Sequence, residues 1–302
     1  MIKAPNLKKG DCIGLISTAR KISLEELEPA IAIFKKWGLK IKFARHLFEE
    51  QNQFAGTDVQ RLADLQGFFD NPEIKAVVCV RGGYGTVRII DELNFLSLKS
   101  KPKWVCGYSD VTVLLNKLNS LGIECIHSTM PINFTSNSKE SIESLRRVLF
   151  GEKYQIKTKA HPLNRNGIAR GKLIGGNLSM LYSQLGSSTA LNTEGQILFI
   201  EDLDEYLYHI DRMMHNLKRN SYFEKLSGLI VGGMSDMNDN TVPFGRNAEE
   251  IIHDLVRAYN FPVCFGFPAG HVDDNRSLIF GRRANLSVGN EVELDFEHGS
   301  TQ

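Results

Sequence analysis

A serine, a glutamate and a histidine, each set in a turn behind a short apolar run, are the residues of this chain best suited to nucleophilic acyl transfer. Ser109 sits in Gly107-Tyr108-Ser109-Asp110, between the apolar runs Trp104-Val105-Cys106 and Val111-Thr112-Val113-Leu114-Leu115. A serine at a sharp strand-to-helix turn has its hydroxyl pushed out of the backbone, with the unsatisfied amides of the helix start beside it. Gly107 allows the close approach or positive φ that such a turn requires. Ile197-Leu198-Phe199-Ile200 reads as a buried strand that delivers Glu201 and Asp202 at its end, where α/β sheets bind ligands. His271 follows Gly266-Phe267-Pro268-Ala269-Gly270, itself behind the apolar Phe261–Phe265.

Taken singly, each residue has a plainer explanation. Ser109 could cap the following helix, His271 could be a loop histidine bonded to carbonyls, and Glu201 could open an acidic helix start with Asp202, Asp204 and Glu205. Together they supply a nucleophile, a base and a residue to orient the base, in the order Ser, Glu, His. That order is the α/β-hydrolases', but Val111 replaces the second glycine of their elbow.

Five segments carry a more specific resemblance. Arg81-Gly82-Gly83-Tyr84-Gly85, Gly107-Tyr108-Ser109-Asp110, Leu173-Ile174-Gly175-Gly176-Asn177-Leu178, Ile200-Glu201-Asp202 with Tyr208-His209-Ile210-Asp211-Arg212, and Gly266–His271 resemble, in order and spacing, the LD-carboxypeptidase family of serine peptidases. The match runs from about Gly10 to Gly289. The resemblance implies a catalytic triad of Ser109, Glu201 and His271, with backbone amides of Asp110 and the Gly82-Gly83 loop as the oxyanion hole. Arg81 and Tyr84 are then candidates for substrate contact. It further implies hydrolysis of the amide between an L-centre and a terminal D-alanine of a murein tetrapeptide during cell-wall recycling, with no cofactor, in a cytoplasmic homodimer whose site is assembled from two domains. One departure is His127-Ser128-Thr129-Met130-Pro131, where many members have a His-Gly-Pro-Met type segment. A sister branch of the superfamily cleaves peptide-nucleotide antibiotics in self-immunity, and a silent peptide-binding protein is the reading from another class. The intact trio of Ser109, Glu201 and His271 weighs against a pure binder.

The elements needed to place these residues are legible as patterns. In the first half, apolar runs at Ile13–Ile16, Ile41–Ala44, Ala76–Val80, Trp104–Cys106 and Ile123–Ile126 alternate with helical patterns centred near residues 33, 63, 88 and 116. Such alternation predicts a doubly wound parallel sheet, here flavodoxin-like, over residues 1–156. Thr57 and Gln60 form a capping box for the second helix, whose stripe is Leu62, Leu65, Phe68 and Phe69. Ser23 and Glu26 form another, yet Pro29 argues that the first helix starts there instead. The polar stretch 157–168, with Pro162, reads as a linker. Residues 169–302 then form a mixed α/β domain: strands at Gln196–Ile200, Leu229–Val231 and Val263–Phe265, helices near 182, 212 and 252, and short strands from Leu278 to Phe296.

At 302 residues the chain suits two domains, and a formal charge of +1 gives no broad field to attract nucleic acid or an anionic membrane. No segment has the length of a membrane span or the form of a signal. The five cysteines are odd in number, lie mostly in apolar runs and lack C-x-x-C spacing, so they read as reduced packing residues. Dinucleotide binding fails on spacing, since a G-x-G-x-x-G begun at Gly83 meets Arg88 at its third glycine. Asp236, Asn238 and Asn240 mimic a calcium loop, but Thr241 and Asn247 replace its glycine and glutamate, and His209 and His215 lack zincin spacing. No metal is expected.

Overall fold

Buried aliphatic runs alternate with capped helices through the first half of the chain in the computed structural model, which describes residues 1–297. Strands β1 (Cys12–Ile16), β2 (Lys40–Phe43), β3 (Ile74–Cys79), β4 (Trp104–Gly107) and β5 (Cys125–His127) are separated by helices α1 (Leu24–Lys36), α2 (Asp58–Asp70), α3 (Leu96–Ser100) and α4 (Thr112–Ser120). Helix α5 (Lys139–Phe150) and strand β6 (Gln155–Lys159) follow. Next come β7 (Gly167–Asn177), α6 (Leu178–Ser183), β8 (Ile197–Leu203), α7 (Leu207–Arg219), β9 (Gly228–Ser235) and α8 (Ala248–Val256). Strands β10 (Val263–Cys264), β11 (Leu278–Phe280), β12 (Arg283–Val288) and β13 (Glu291–Phe296) complete the described chain.

Two compact units result, one made of 1–153 with 273–281, the other of 154–272 with the chain from Arg282 onward. Residues 298–302, expected in the second domain, lie outside the described residues. In the first unit the strand order is β11-β5-β4-β3-β1-β2, parallel from β2 to β5. The order 2-1-3-4-5 is that of a flavodoxin-like sheet, as the sequence pattern predicts, and its strand order reverses between β1 and β3. Strand β11 adds an antiparallel edge to β5. The chain thus returns to the first unit at 273–281, a crossing invisible to a reading that assigned those residues to the second domain by sequence position.

Local differences have physical causes. Helix α1 begins at Leu24, with both arms of the Ser23–Glu26 capping box formed and Pro29 inside the helix. Leu27, Ala30 and Phe34 are buried along one face, and this packing outweighs the one backbone hydrogen bond that Pro29 removes, a loss of about 3 kcal/mol in an exposed helix. In α2 the buried face is Leu65, Phe68 and Phe69 as expected, but Arg61 is also buried, donating to the Gly56 carbonyl at 2.6 Å, while Leu62 is half-buried. The helix expected near residue 88 is two 3₁₀ turns, Thr86–Arg88 and Ile90–Glu92, which suffice to bury Ile89 and Ile90.

The second unit has sheet order β10-β9-β8-β7-β12-β13-β6. Strands β7 to β10 are parallel, and helices α6, α7 and α8 pack Leu181, Met213, Leu217 and Ile252 against their aliphatic face. The β7-β12-β13-β6 half is antiparallel. Residues 157–168 are accordingly no free linker. Lys157, Thr158 and Lys159 pair with Glu293, Val292 and Glu291, and Arg165 bridges Val263 while its guanidinium donates to the Val256 and Phe261 carbonyls at 3.3 Å. An edge strand with alternate lysines facing water is polar enough to pass for a linker, and only Ile156, fully buried, marks its inner face. Cys79, Cys106, Cys125 and Cys264 are buried, and burial pushes the Cys79 thiol up to about 12.

Ile156→Ala is expected to destabilise the protein by about 2–5 kcal/mol in chemical denaturation, as for a buried aliphatic residue. A change within about 0.5 kcal/mol, as at an exposed position, would return this segment to the status of a linker.

Candidate active site

The turn after β4 in the first unit is built by a glycine, a strained serine and a buried aspartate. Strand β4 ends at Gly107, where an added Cβ would stand 2.9 Å from Val111 Cγ1; close approach, with φ outside the positive region, is what excludes a side chain. Tyr108 remains extended (φ −154°), and its hydroxyl donates to Asn133 Oδ1 at 3.2 Å. Ser109 then takes φ +62°, a left-handed conformation that costs a non-glycine residue about 1 kcal/mol or more. A 3₁₀ turn, Ser109–Val111, leads into α4. Tyr108, not Ser109, holds the capping position of this turn. Ser109 is therefore not the N-cap residue of this turn, nor of α4, whose N-cap is Val111.

Asp110 ties this turn to the glycine loop. Its Oδ2 accepts from the Thr86 amide at 2.9 Å and the Thr86 hydroxyl at 2.6 Å, and Thr86 Oγ1 lies 2.7 Å from Thr18 Oγ1. Burial pushes the Asp110 carboxyl up, and the Thr86 donors oppose that rise. The loop so anchored brings Gly82 against Ser109: a Cβ there would be 3.2 Å from Ser109 Cβ and 3.4 Å from its Oγ. The Gly82 carbonyl accepts from the Arg20 amide at 3.4 Å, so in the trans peptide the Gly83 N–H points the opposite way. Of the two expected substrate contacts, Arg81 donates to the Lys21 carbonyl at 3.1 Å and to Glu26 Oε1 at 3.4 Å, while Tyr84 is exposed and faces Phe54 at 6.2 Å between ring centroids.

In the second unit β8 carries Glu201 to a fully buried position, and the loop after β10 brings His271 to it. Glu201 Oε2 accepts from His271 Nδ1 at 2.6 Å and from the His271 amide at 3.1 Å. A carboxylate only accepts, so the proton of the neutral ring resides on Nδ1. Gly270 makes room for this pair: at φ +100°, an added Cβ would fall 2.6 Å from Glu201 Cβ and 2.7 Å from Oε2. Ser235 Oγ donates to the His271 carbonyl at 2.6 Å, fixing the backbone beyond the ring. Burial disfavours the imidazolium, but the charge and hydrogen bond of Glu201 prevail, and the His271 pKa is raised above 6.5.

Adjacent acids do other work. Asp202, equally buried, follows Glu201 where the register of β8 against β9 shifts, and its partners are different. It accepts from the Ser179 amide at 2.9 Å and Asn177 Nδ2 at 2.8 Å, holding the start of α6. Burial, then the neighbouring Glu201 charge, pushes Asp202 up to about 7. Asp204 accepts from Asn238 Nδ2 at 2.7 Å, and Glu205 lies 2.5 Å from His209 Nδ1. Sequence reasoning missed Thr86, Arg20 and the shaping role of Gly270; the signal available for the last was its place directly before the histidine.

Groups of this kind serve serine-type hydrolysis, in which a hydroxyl attacks an acyl carbon and an oriented imidazole moves the proton. Residues 13–128 match the LD-carboxypeptidase N-terminal domain and residues 170–286 the LD-carboxypeptidase C-terminal domain. The chain belongs to the LD-carboxypeptidase family and is a serine carboxypeptidase. It is 32% identical to a probable murein peptide carboxypeptidase of Bacillus subtilis (strain 168) over 97% of this chain and 93% of that protein. Among solved structures, the muramoyltetrapeptide carboxypeptidase from Oxalobacter formigenes matches with a TM-score of 0.88 at 26% identity, covering 96% of this chain and 100% of that one. The microcin C7 self-immunity protein shares the fold, with a TM-score of 0.88 at 22% identity over 99% of both chains.

Gly270→Ala is expected to displace Glu201 and lower kcat/KM by about 100-fold or more, measured by steady-state kinetics, because a misplaced catalytic group costs about that much. The pH profile follows from the sign of the histidine shift. A base must be neutral to accept a proton, so kcat/KM should fall as pH drops through an apparent pKa above 6.5, and Glu201→Gln, which removes the raising charge, should move that limb to lower pH. An unmoved limb would assign it to another group.

Proposed function

We propose that this protein hydrolyses the amide between the L-centre and the terminal D-alanine of murein tetrapeptides, with Ser109, His271 and Glu201 acting as one triad. The observation that carries this reading is the buried bond from His271 Nδ1 to Glu201, since it fixes the ring tautomer and makes Nε2 the nitrogen able to take a proton. His271 Nε2 removes the Ser109 proton as Oγ attacks the scissile carbonyl carbon. The negative oxygen of the tetrahedral intermediate is received by the amides of Asp110 and the Gly82-Gly83 loop, each donor of this kind being worth about 3 kcal/mol. His271 then protonates the leaving nitrogen, D-alanine departs, and water repeats the sequence on the acyl-enzyme. Glu201 stays ionised and stabilises the imidazolium at each stage.

The relatives' names support murein peptide as the substrate class, and the position of Gly82 against Ser109 supports the oxyanion assignment. We read the protein as a cytoplasmic homodimer, in keeping with its five free cysteines and the family's habit. Among the described residues no helix is long and apolar enough to cross a membrane.

Incubation with a muramyl tetrapeptide should release D-alanine, detected by mass spectrometry. Ser109→Ala should lower kcat by about 10⁴-fold or more, as loss of a triad nucleophile does. Turnover persisting in that variant would remove the serine from the mechanism. Cleavage of an aminoacyl-nucleotide conjugate in preference to the tetrapeptide would assign the site to the self-immunity branch.

A further inference from the structure

An exopeptidase must recognise the free carboxylate one residue beyond the scissile bond, a few ångströms from the attacked carbon, since consecutive Cα atoms are about 3.8 Å apart. The sequence offered Arg81 for substrate contact, but its guanidinium turns to Glu26 and the Lys21 carbonyl. A second arginine of the same unit is placed differently. Arg20 lies in the loop after β1, and Gly82 and Gly83 lie in the loop after β3, so both flank the point where strand order reverses. Ligands of open α/β sheets bind in the crevice outside the carboxyl ends of the strands at that point.

The Arg20 side chain lies flat across Gly83: a Cβ there would meet Arg20 Cδ at 2.5 Å, Cγ at 2.6 Å and Nε at 2.7 Å. Its backbone is fixed at both ends, the amide donating to the Gly82 carbonyl at 3.4 Å and the carbonyl accepting from Ser17 Oγ at 2.5 Å. Gly82, one residue along, is the glycine that touches Ser109. The nucleophile and this guanidinium therefore rest against adjacent residues of a single loop. Arg20 is exposed, and among the described residues no carboxylate pairs with it.

We propose that Arg20 is the specificity-determining residue that receives the C-terminal carboxylate of the substrate. This rests on the carboxypeptidase reading above and adds the group that makes the enzyme an exopeptidase. The planar guanidinium fork donates two parallel N–H bonds to a carboxylate, and the glycine beneath it lets the side chain lie close to the oxyanion loop. Gly83 is thus kept free of a side chain by Arg20 as well as by its φ of +113°.

The test compares a murein tetrapeptide with its C-terminal carboxamide, measuring release of D-alanine or D-alaninamide. The wild type should prefer the acid, and Arg20→Gln should lower kcat/KM on the acid by about 10- to 100-fold, mostly through KM, so that the acid-over-amide preference collapses. Arg20→Lys should restore part of it. Equal losses on acid and amide would mean that Arg20 only shapes the loop, and an unchanged preference, or a collapse produced by Arg81→Gln instead, would overturn the proposal. If the wild type releases nothing from either peptide, the hydrolytic reading has failed separately. Calorimetric binding to the Ser109→Ala protein then decides for Arg20: a preference for the acid lost on Arg20→Gln upholds the assignment, and equal affinity for acid and amide refutes it.

Discussion

The buried bond between Glu201 and His271 is the constraint on which the polar cluster of the second unit depends. A carboxylate with no exposed surface is costly unless its oxygens meet donors, and the imidazole and amide of His271 supply two of them. Removing one partner of such a pair typically costs 3–5 kcal/mol. The same bond settles the tautomer and raises the imidazole pKa, so structural cost and chemical use share one origin. Around it the fold is cleared rather than filled: Gly270 stands where any side chain would collide with the glutamate.

The first unit reaches a comparable end by different means. Its serine is held in a left-handed conformation by the packing of Gly107 on Val111 below and by Asp110 beyond. The Asp110 side chain grips Thr86 through two hydrogen bonds, directly beside Ser109 in the chain. That grip, extended to Thr18, joins the loops after β1, β3 and β4 into one polar cluster. Buried networks of this sort are stabilising only when their members are matched, which makes Thr86 a residue as constrained as the aspartate it holds.

Much of this was written in local patterns. Apolar runs of strand length and two capping boxes gave the parallel sheet and its helices, because periodicity and end chemistry act over a few residues. Failures fell where distant contacts override local preference. Pro29 sits inside α1 because the Ser23 cap and the buried face beneath it dominate. Residues 157–159 of the expected linker lie in a sheet, and the pairing was not legible because their partners, Glu291 to Glu293, lie more than a hundred residues away. Residues 278–280, which leave the tail to edge the first unit's sheet, were illegible for the same reason.

At the site, residue types and order alone nominated Ser109, Glu201 and His271, since few side chains can act as nucleophile, orienting acid and base. Residue type alone left Glu201 beside Asp202, Asp204 and Glu205, and the family resemblance singled out Glu201; the fold adds the contact itself, since the loop carrying His271 meets Glu201 while the other three acids have other partners. Likewise Arg81 and Arg20 are equivalent as cations in the sequence. Only the folded loops turn one toward Glu26 and lay the other across Gly83, because side-chain direction follows from backbone geometry that no local pattern encodes.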